Sequence, residues 1–208
     1  MHLQFLETDR VLSEHIAAVI ATRGVPESPA AAQEIAEDLL GPVVGEVRRL
    51  HALEVRQIQE SHPGVQVPRW PDFVPVEYMR EVVHSTANVH GLDAVDLEAA
   101  LLPKLGQIAR SGSRSTVLRA AEMNRMRWGR QVPEKHCYYC NWLATRGAVR
   151  GVTKFRAHDG CDCTAVLVAD PRGDWDGKEK ALYLRGLWES CSGRAEFEER
   201  LRKETVLA

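Results

Sequence analysis

The sequence predicts a mainly α-helical protein in which a multi-helix body carries a small zinc-stapled α+β element, with a short strand near residues 163–168. Three observations support this prediction. Apolar residues recur at three- and four-residue steps through much of the chain, which is the spacing of one face of a helix. Four of the five cysteines lie between positions 137 and 163. Residues 164–168, Thr-Ala-Val-Leu-Val, are the best strand candidate.

The first predicted domain, residues 1–60, consists of three helices. The first helix covers residues 8–23, where apolar side chains share one face. The second is capped by Ser28 and ends near Leu40. Proline is favourable at the first position of a helix, whereas inside a helix it costs about 3 kcal/mol. We therefore predict that a third helix begins at Pro42 and ends near residue 59.

The rest of the chain divides into four further segments. Residues 61–75 contain several prolines and predict a linker. Residues 76–130 form a predicted helical body, in which one helix ends at Ser111-Gly112 and the next continues to about Trp128. Residues 131–170 form the predicted zinc-binding knuckle and short strand, and residues 171–208 form two C-terminal helices.

The cysteines fall into two clusters with the spacing of a zinc site. Cys137 and Cys140 form a Cys-x-x-Cys knuckle, which lets two thiolates on one turn reach the same tetrahedral ion. After a spacer of 17 residues come His158, Cys161 and Cys163, with Asp159-Gly160 as the turn between them. We predict one structural zinc ion held by four of these five residues. We favour His158 with one of the two later cysteines, although the sequence does not decide which four bind.

Alternatives to a structural zinc site are disulfide bonds between the cysteines, a metal-free loop position for His158, and a catalytic zinc. The N-terminus has no basic start and carries charges where a signal peptide is apolar, and no apolar stretch reaches the roughly 18 residues that span a bilayer. We therefore expect a soluble intracellular protein, in which thiols favour metal over disulfides. The deaminase, hydrolase and nucleotide-phosphate motifs are absent from the sequence. We expect no enzymatic activity and no small-molecule substrate.

Basic residues are concentrated around the cysteines. Residues 110–156 contain eleven Lys or Arg and two acidic residues, although the whole chain has a formal net charge of -2. Such a surface suits an acidic protein or DNA, and the alternative is a solvated rim. The candidate partner- or DNA-binding residues, which we name the basic arm, are Arg125, Arg127, Arg130, Lys135, Arg146, Arg150, Lys154 and Arg156.

Residues 119–168 also follow a longer pattern. It consists of a helix ending in Trp-x-Arg, a Cys-x-x-Cys pair, a Leu-Ala-x-x-Gly turn and a final His-x-x-Cys-x-Cys before a short strand. The matching positions are Trp128, Arg130, Cys137, Cys140, residues 143–147, His158, Cys161 and Cys163. In this pattern the region resembles the C-terminal block of the MuF-like minor head (minor capsid) proteins of phages.

The resemblance implies a structural virion component of a tailed phage. Such a minor head protein is made in the host cytoplasm and enters the virion head with capsid or portal proteins, and contact with packaged DNA is a further expectation. The alternative function is a zinc-containing nucleic-acid-binding regulator, which should bind defined duplexes with strong salt dependence. Tyr138, Tyr139 and Trp142 would stack on bases in one interpretation and form the small core of the knuckle in the other.

Overall fold

A computed structural model describes residues 2–69, 76–90, 93–133, 138–150 and 155–207. Within these ranges the helices are α1 (His2–Arg23), α2 (Pro29–Ser61), α3 (Val76–His90), α4 (Ala94–Met123), α5 (Tyr138–Ala144), α6 (Lys178–Glu189) and α7 (Arg194–Leu207). The strands are β1 (Arg127–Gln131), β2 (Val149–Arg150) and β3 (Thr164–Val168). The predicted fold class, mainly helical with a small α+β element, is confirmed.

The chain divides into two compact units. The first consists of residues 1–57, 68–113 and 158–161. Its core is built from buried apolar side chains of α1, α2, α3 and α4, among them Phe5, Leu39, Met79 and Leu101. The predicted linker, residues 61–75, lies outside the described residues from position 70 onward.

The second unit consists of residues 58–67, 114–157 and 162–208. One core cluster of this unit contains Ile58, Val117, Trp128 and Leu167. In addition, aromatic rings connect α5, α6 and α7: the ring centroids of Trp142 and Trp188 are 6.3 Å apart, and those of Trp188 and Phe197 are 5.4 Å apart, both edge-to-face. Such pairs stabilise by about 0.5–1.5 kcal/mol each beyond their buried area. Trp142 of α5 therefore packs in an aromatic cluster with the two C-terminal helices, α6 and α7.

The prediction that α2 is interrupted at Pro42 is wrong. α2 runs from Pro29 to Ser61 with Pro42 inside it. A proline there lacks one N–H donor and costs about 3 kcal/mol. Leu39 and Val43 flank this position and are fully buried. Burial of a large apolar side chain stabilises by about 1.5–3 kcal/mol, so packing on both sides of Pro42 outweighs its local cost.

α4 is likewise continuous where the sequence predicts a helix end at Ser111-Gly112. A Cβ atom at Gly112 would lie 2.6 Å from the carbonyl oxygen of Val47 in α2. Gly112 therefore allows the backbones of the two helices to approach closely, and it does not end the helix. Beside it, the Ser113 hydroxyl donates a 2.7 Å hydrogen bond to Glu54 Oε2, which is a second link between α4 and α2.

The predicted continuation of the helix to Trp128 is also wrong. α4 ends at Met123, and Arg125 has a φ of 53°, in the left-handed region. The N–H groups of Arg125 and Met126 donate to carbonyls of the last helical turn, which is the hydrogen-bond pattern of a Schellman motif. Glycine usually occupies this left-handed position, so Arg125 gives no signal of a helix end. The chain then enters β1.

β1 is the central strand of an antiparallel sheet with the order β2-β1-β3. Trp128 lies opposite Val149 of β2 and Leu167 of β3. β1 is not predicted from the sequence, because Arg-Trp-Gly-Arg-Gln has little of the β-branched character of a strand. A Cβ atom at Gly129 would lie 2.5 Å from the ring of Trp175, so the absent side chain lets this ring pack on the strand. The strand predicted near residues 163–168 is β3.

Replacing Gly112 by alanine should destabilise the first unit. The new Cβ would meet the Val47 carbonyl, and overpacking of this kind costs about 1–3 kcal/mol. Gly45→Ala is the matched control, because nothing lies within 4 Å of a Cβ there and alanine favours a helix by up to about 1 kcal/mol over glycine. Urea unfolding followed by circular dichroism measures both. Equal stability of the two variants would contradict the close approach.

The buried carboxyl of Glu54 should make stability depend on pH. Burial raises its pKa from 4.5 to about 7, although the Ser113 hydrogen bond lowers it. The folded state thus keeps a proton that the unfolded state releases, so this stabilisation is full below pH 4.5 and is lost as pH rises through 7. From pH 4.5 to 8, Glu54→Gln should gain about 3 kcal/mol relative to the wild type. Urea titrations at several pH values, with the exposed Glu122→Gln as control, test this; parallel wild-type and Glu54→Gln curves would contradict it.

Candidate metal centre

Three of the predicted ligands lie close together. Cys140 lies in α5, and His158 and Cys161 lie in the segment before β3. Their ligand atoms, two thiol sulfurs and one imidazole nitrogen, all lie within 4.8 Å of one another. Cys140 and Cys161 are buried, whereas His158 is exposed. This Cys/His group could hold a metal ion, and sulfur with imidazole nitrogen is a donor set typical of protein metal sites.

A tight turn brings His158 and Cys161 together. The N–H of Cys161 donates to the carbonyl of His158 at 3.1 Å, and Gly160, the third residue of the turn, has a φ of 69°. Only glycine adopts this left-handed conformation without strain, and a type II turn requires it at that position. The N–H of Gly160 also donates to the carbonyl of Pro103 at 3.3 Å. Asp159-Gly160 thus forms the turn that the sequence predicts.

The imidazole of His158 is oriented by a backbone carbonyl. Its Nδ1 atom lies 2.7 Å from the carbonyl oxygen of Asp159. A carbonyl oxygen only accepts hydrogen bonds, so Nδ1 carries the proton at this contact. A backbone carbonyl commonly orients metal-binding histidines in this way. In this tautomer His158 would bind a metal through Nε2.

Cys163 is buried beside this group, and its backbone is held by a buried arginine. The Nε of Arg114 donates to the carbonyl of Cys163 at 3.0 Å. The guanidinium of Arg114 also lies 5.0 Å from the ring centroid of Phe155. The side chain of Arg114 is buried and supports the entry into β3. The linear sequence contains no signal for this contact.

Not every predicted site residue belongs to the part of the chain that the structure describes. Cys137, Lys135 and Lys154 are outside the described residues. Cys137 and Cys163 therefore both remain candidates for a fourth ligand. Cys191 is half-buried, and its thiol donates to the carbonyl of Leu187 at 3.1 Å. It is not a member of the Cys/His group that the described residues form.

The basic arm is exposed only in part. Among its described members, four arginines are exposed: Arg125, Arg146, Arg150 and Arg156. Arg127 is half-buried and donates to the carbonyl of Ala148 at 3.1 Å. Arg130 differs from the prediction, since it is only 5% exposed. Its position in β1 turns its side chain inward.

Fold and site together define a mainly helical protein with a small antiparallel sheet and a Cys/His group that could hold a metal ion. Residues 15–187 match the model of the VG15 protein family, and the chain belongs to this family. No curated protein and no solved structure shows a significant match to this chain. Among the helices that the structure describes, none combines the length and the apolar character needed to cross a bilayer.

Proposed function

We propose that this protein is a structural component of a tailed-phage virion, a minor head protein that associates with capsid or portal proteins and carries a structural zinc ion. The observation that carries the proposal is the grouping of Cys140, His158 and Cys161, whose ligand atoms lie within 4.8 Å. All three belong to the pattern that resembles the MuF-like proteins. Two further positions of that pattern, Trp128 and Arg130, are two residues apart in β1 and therefore lie on the same face of the strand.

The donor set fits zinc. Two thiolates and one imidazole are typical ligands of this ion, which prefers four-coordinate tetrahedral sites. Cys140, His158 and Cys161 would supply three positions, and Cys137 or Cys163 the fourth. Four protein ligands close the site to substrate, so the ion would stabilise the fold and not catalyse a reaction. When bound, the zinc ion would link α5 to the turn before β3 through these side chains.

The exposed part of the basic arm is the surface that we propose for association in the particle. Exposed arginines add little to the stability of a fold, because surface ion pairs contribute about 0–1 kcal/mol. They do attract acidic protein surfaces and DNA phosphates, and they steer association. Arg125 supports this role in particular. Its backbone conformation favours glycine, yet this position holds an arginine, and the arginine side chain is exposed.

Protein purified under reducing conditions should contain one zinc ion per chain. Cys140→Ser should lose the metal and unfold the region around α5 and β3, because structural zinc supplies on the order of 10 kcal/mol of apparent folding free energy in small sites. Cys191→Ser is the matched control and should keep the metal. Metal analysis and thermal melting measure both effects. Two disulfides with no stoichiometric zinc, or unchanged zinc in Cys140→Ser, would contradict the assignment.

Mass spectrometry of purified particles from the phage or prophage that encodes this sequence should detect the chain in the head. The double variant Arg125→Asn with Arg150→Ser should enter particles about threefold less or worse, and higher salt should deepen the defect by screening the remaining charges. The control double variant, Arg202→Ser with Lys203→Ser, removes two exposed charges from α7 and should enter normally.

Two outcomes would count against this proposal separately. Absence of the chain from particles would refute the head function. Wild-type incorporation of the arm variant in low and high salt would leave the head function standing but would reject the basic arm as its contact surface. Circular dichroism and zinc content of both double variants should match the wild type.

A further inference from the structure

The second unit contains a cavity to which the proposed function assigns no ligand. It has a volume of about 330 Å³ and lies beside the sheet. Its charged lining residues are Arg130, Arg146 and Arg156, and its apolar lining includes Trp128, Leu143 and Val149. We name it the arginine pocket. Its volume lies at the lower end of the range of about 300–1,000 Å³ that is typical of small-ligand sites.

Arg130 is the buried cation of the arginine pocket. Its guanidinium carbon lies 3.8 Å from the ring centroid of Phe155, and Nη2 donates to the backbone carbonyl of Arg156 at 2.5 Å. Its other terminal nitrogen, Nη1, is buried and has no hydrogen-bond partner among the described residues. A buried donor without a partner costs about 1–3 kcal/mol, and more when it carries charge. The stacking and the hydrogen bond hold the guanidinium, and with it the positive charge, in place at the wall of the cavity.

The charge of the arginine pocket is not balanced by its own walls. Three guanidinium groups line it, and no carboxylate is among its described lining residues. Arg146 and Arg156 are exposed, so their side chains can adjust to a ligand, whereas Arg130 is fixed. Like charges placed around one cavity repel one another, and an anion between them reverses this effect. The pocket therefore has the donors and the charge of an anion site.

We propose that the arginine pocket binds a phosphate group. Guanidinium forks match the oxygens of both carboxylates and phosphates, but three cations suit a phosphate dianion better than a singly charged carboxylate. Arg130 supplies a fixed positive charge from the buried wall, and Arg146 and Arg156 donate to the phosphate oxygens from the rim. The apolar side chains accommodate the group that bears the phosphate. Arg146 and Arg156 also belong to the basic arm, but this inference rests on the cavity and does not require the proposed head function.

The dianion is a small phosphomonoester. A nucleic-acid backbone presents phosphate oxygens with one negative charge per phosphodiester, and two probes distinguish these sources. Phenyl phosphate and a thymidine 12-mer without terminal phosphates are titrated into the full chain by calorimetry at low salt. Arg146→Gln and Arg156→Gln should each weaken binding about tenfold or more. Arg119→Gln and Arg172→Gln remove the same charge from exposed positions outside both the lining and the basic arm, and should change affinity less than about twofold.

Each result supports or overturns the proposal. Loss of phenyl phosphate binding in the two pocket variants alone supports a phosphate site for a small ligand. The same selective loss for the 12-mer, with competition by phenyl phosphate, supports backbone phosphate as the source. The proposal fails if neither probe binds, if pocket and control variants weaken alike, or if benzoate binds as tightly as phenyl phosphate. Unchanged melting of Arg146→Gln and Arg156→Gln shows that the fold is intact.

Discussion

The antiparallel pairing of β1 with β2 and β3 is the interaction on which the candidate sites depend. Pairing with β3 places Thr164 opposite Gln131, and their side chains are joined by a 2.9 Å hydrogen bond. This register determines where the preceding cysteines enter the fold. Pairing with β2 places Val149 opposite Trp128, and both residues line the arginine pocket. Since side chains alternate along a strand, a shift by one residue would turn Trp128 and Arg130 to the other face of the sheet.

Buried arginines recur in this protein, and in each case the guanidinium lies near an aromatic ring. Arg110 pairs with Asp9 and lies 5.4 Å from the ring centroid of Phe5. Arg114 and Arg130 lie over Phe155. A guanidinium is more weakly hydrated than an ammonium and stacks on rings, which lowers the cost of burying it. The three guanidinium groups have different polar surroundings. Arg110 contacts a carboxylate and Arg114 contacts the carbonyl of Cys163. Arg130 lines a cavity that two more arginines also line.

The Cys/His group is preorganised by elements that do not need a metal. The turn hydrogen bond, the left-handed Gly160 and the contact of His158 Nδ1 with a carbonyl restrict the positions of the ligand atoms. Preorganisation lowers the conformational entropy lost on binding, which favours affinity. The contact from Arg114 to Cys163 restricts the backbone on the other side of the turn. The VG15 family description names no activity. A proposal for function therefore rests on the geometry of sites such as the Cys/His group.

Local patterns were sufficient to predict the helical class, β3, the C-terminal helices and the approach of His158 to Cys161, because periodicity, turn chemistry and short spacings act between near neighbours in sequence. They failed at Pro42 and Gly112, where packing against distant residues outweighs a local breaker. They also failed at β1, whose pairing depends on strands more than a dozen residues away. The burial of Arg114 and Arg130 could not be predicted from an arginine's ordinary preference for solvent. Only the tertiary fold provides the carbonyl, the aromatic ring and the cavity that these side chains contact, since those partners come from other elements of the chain.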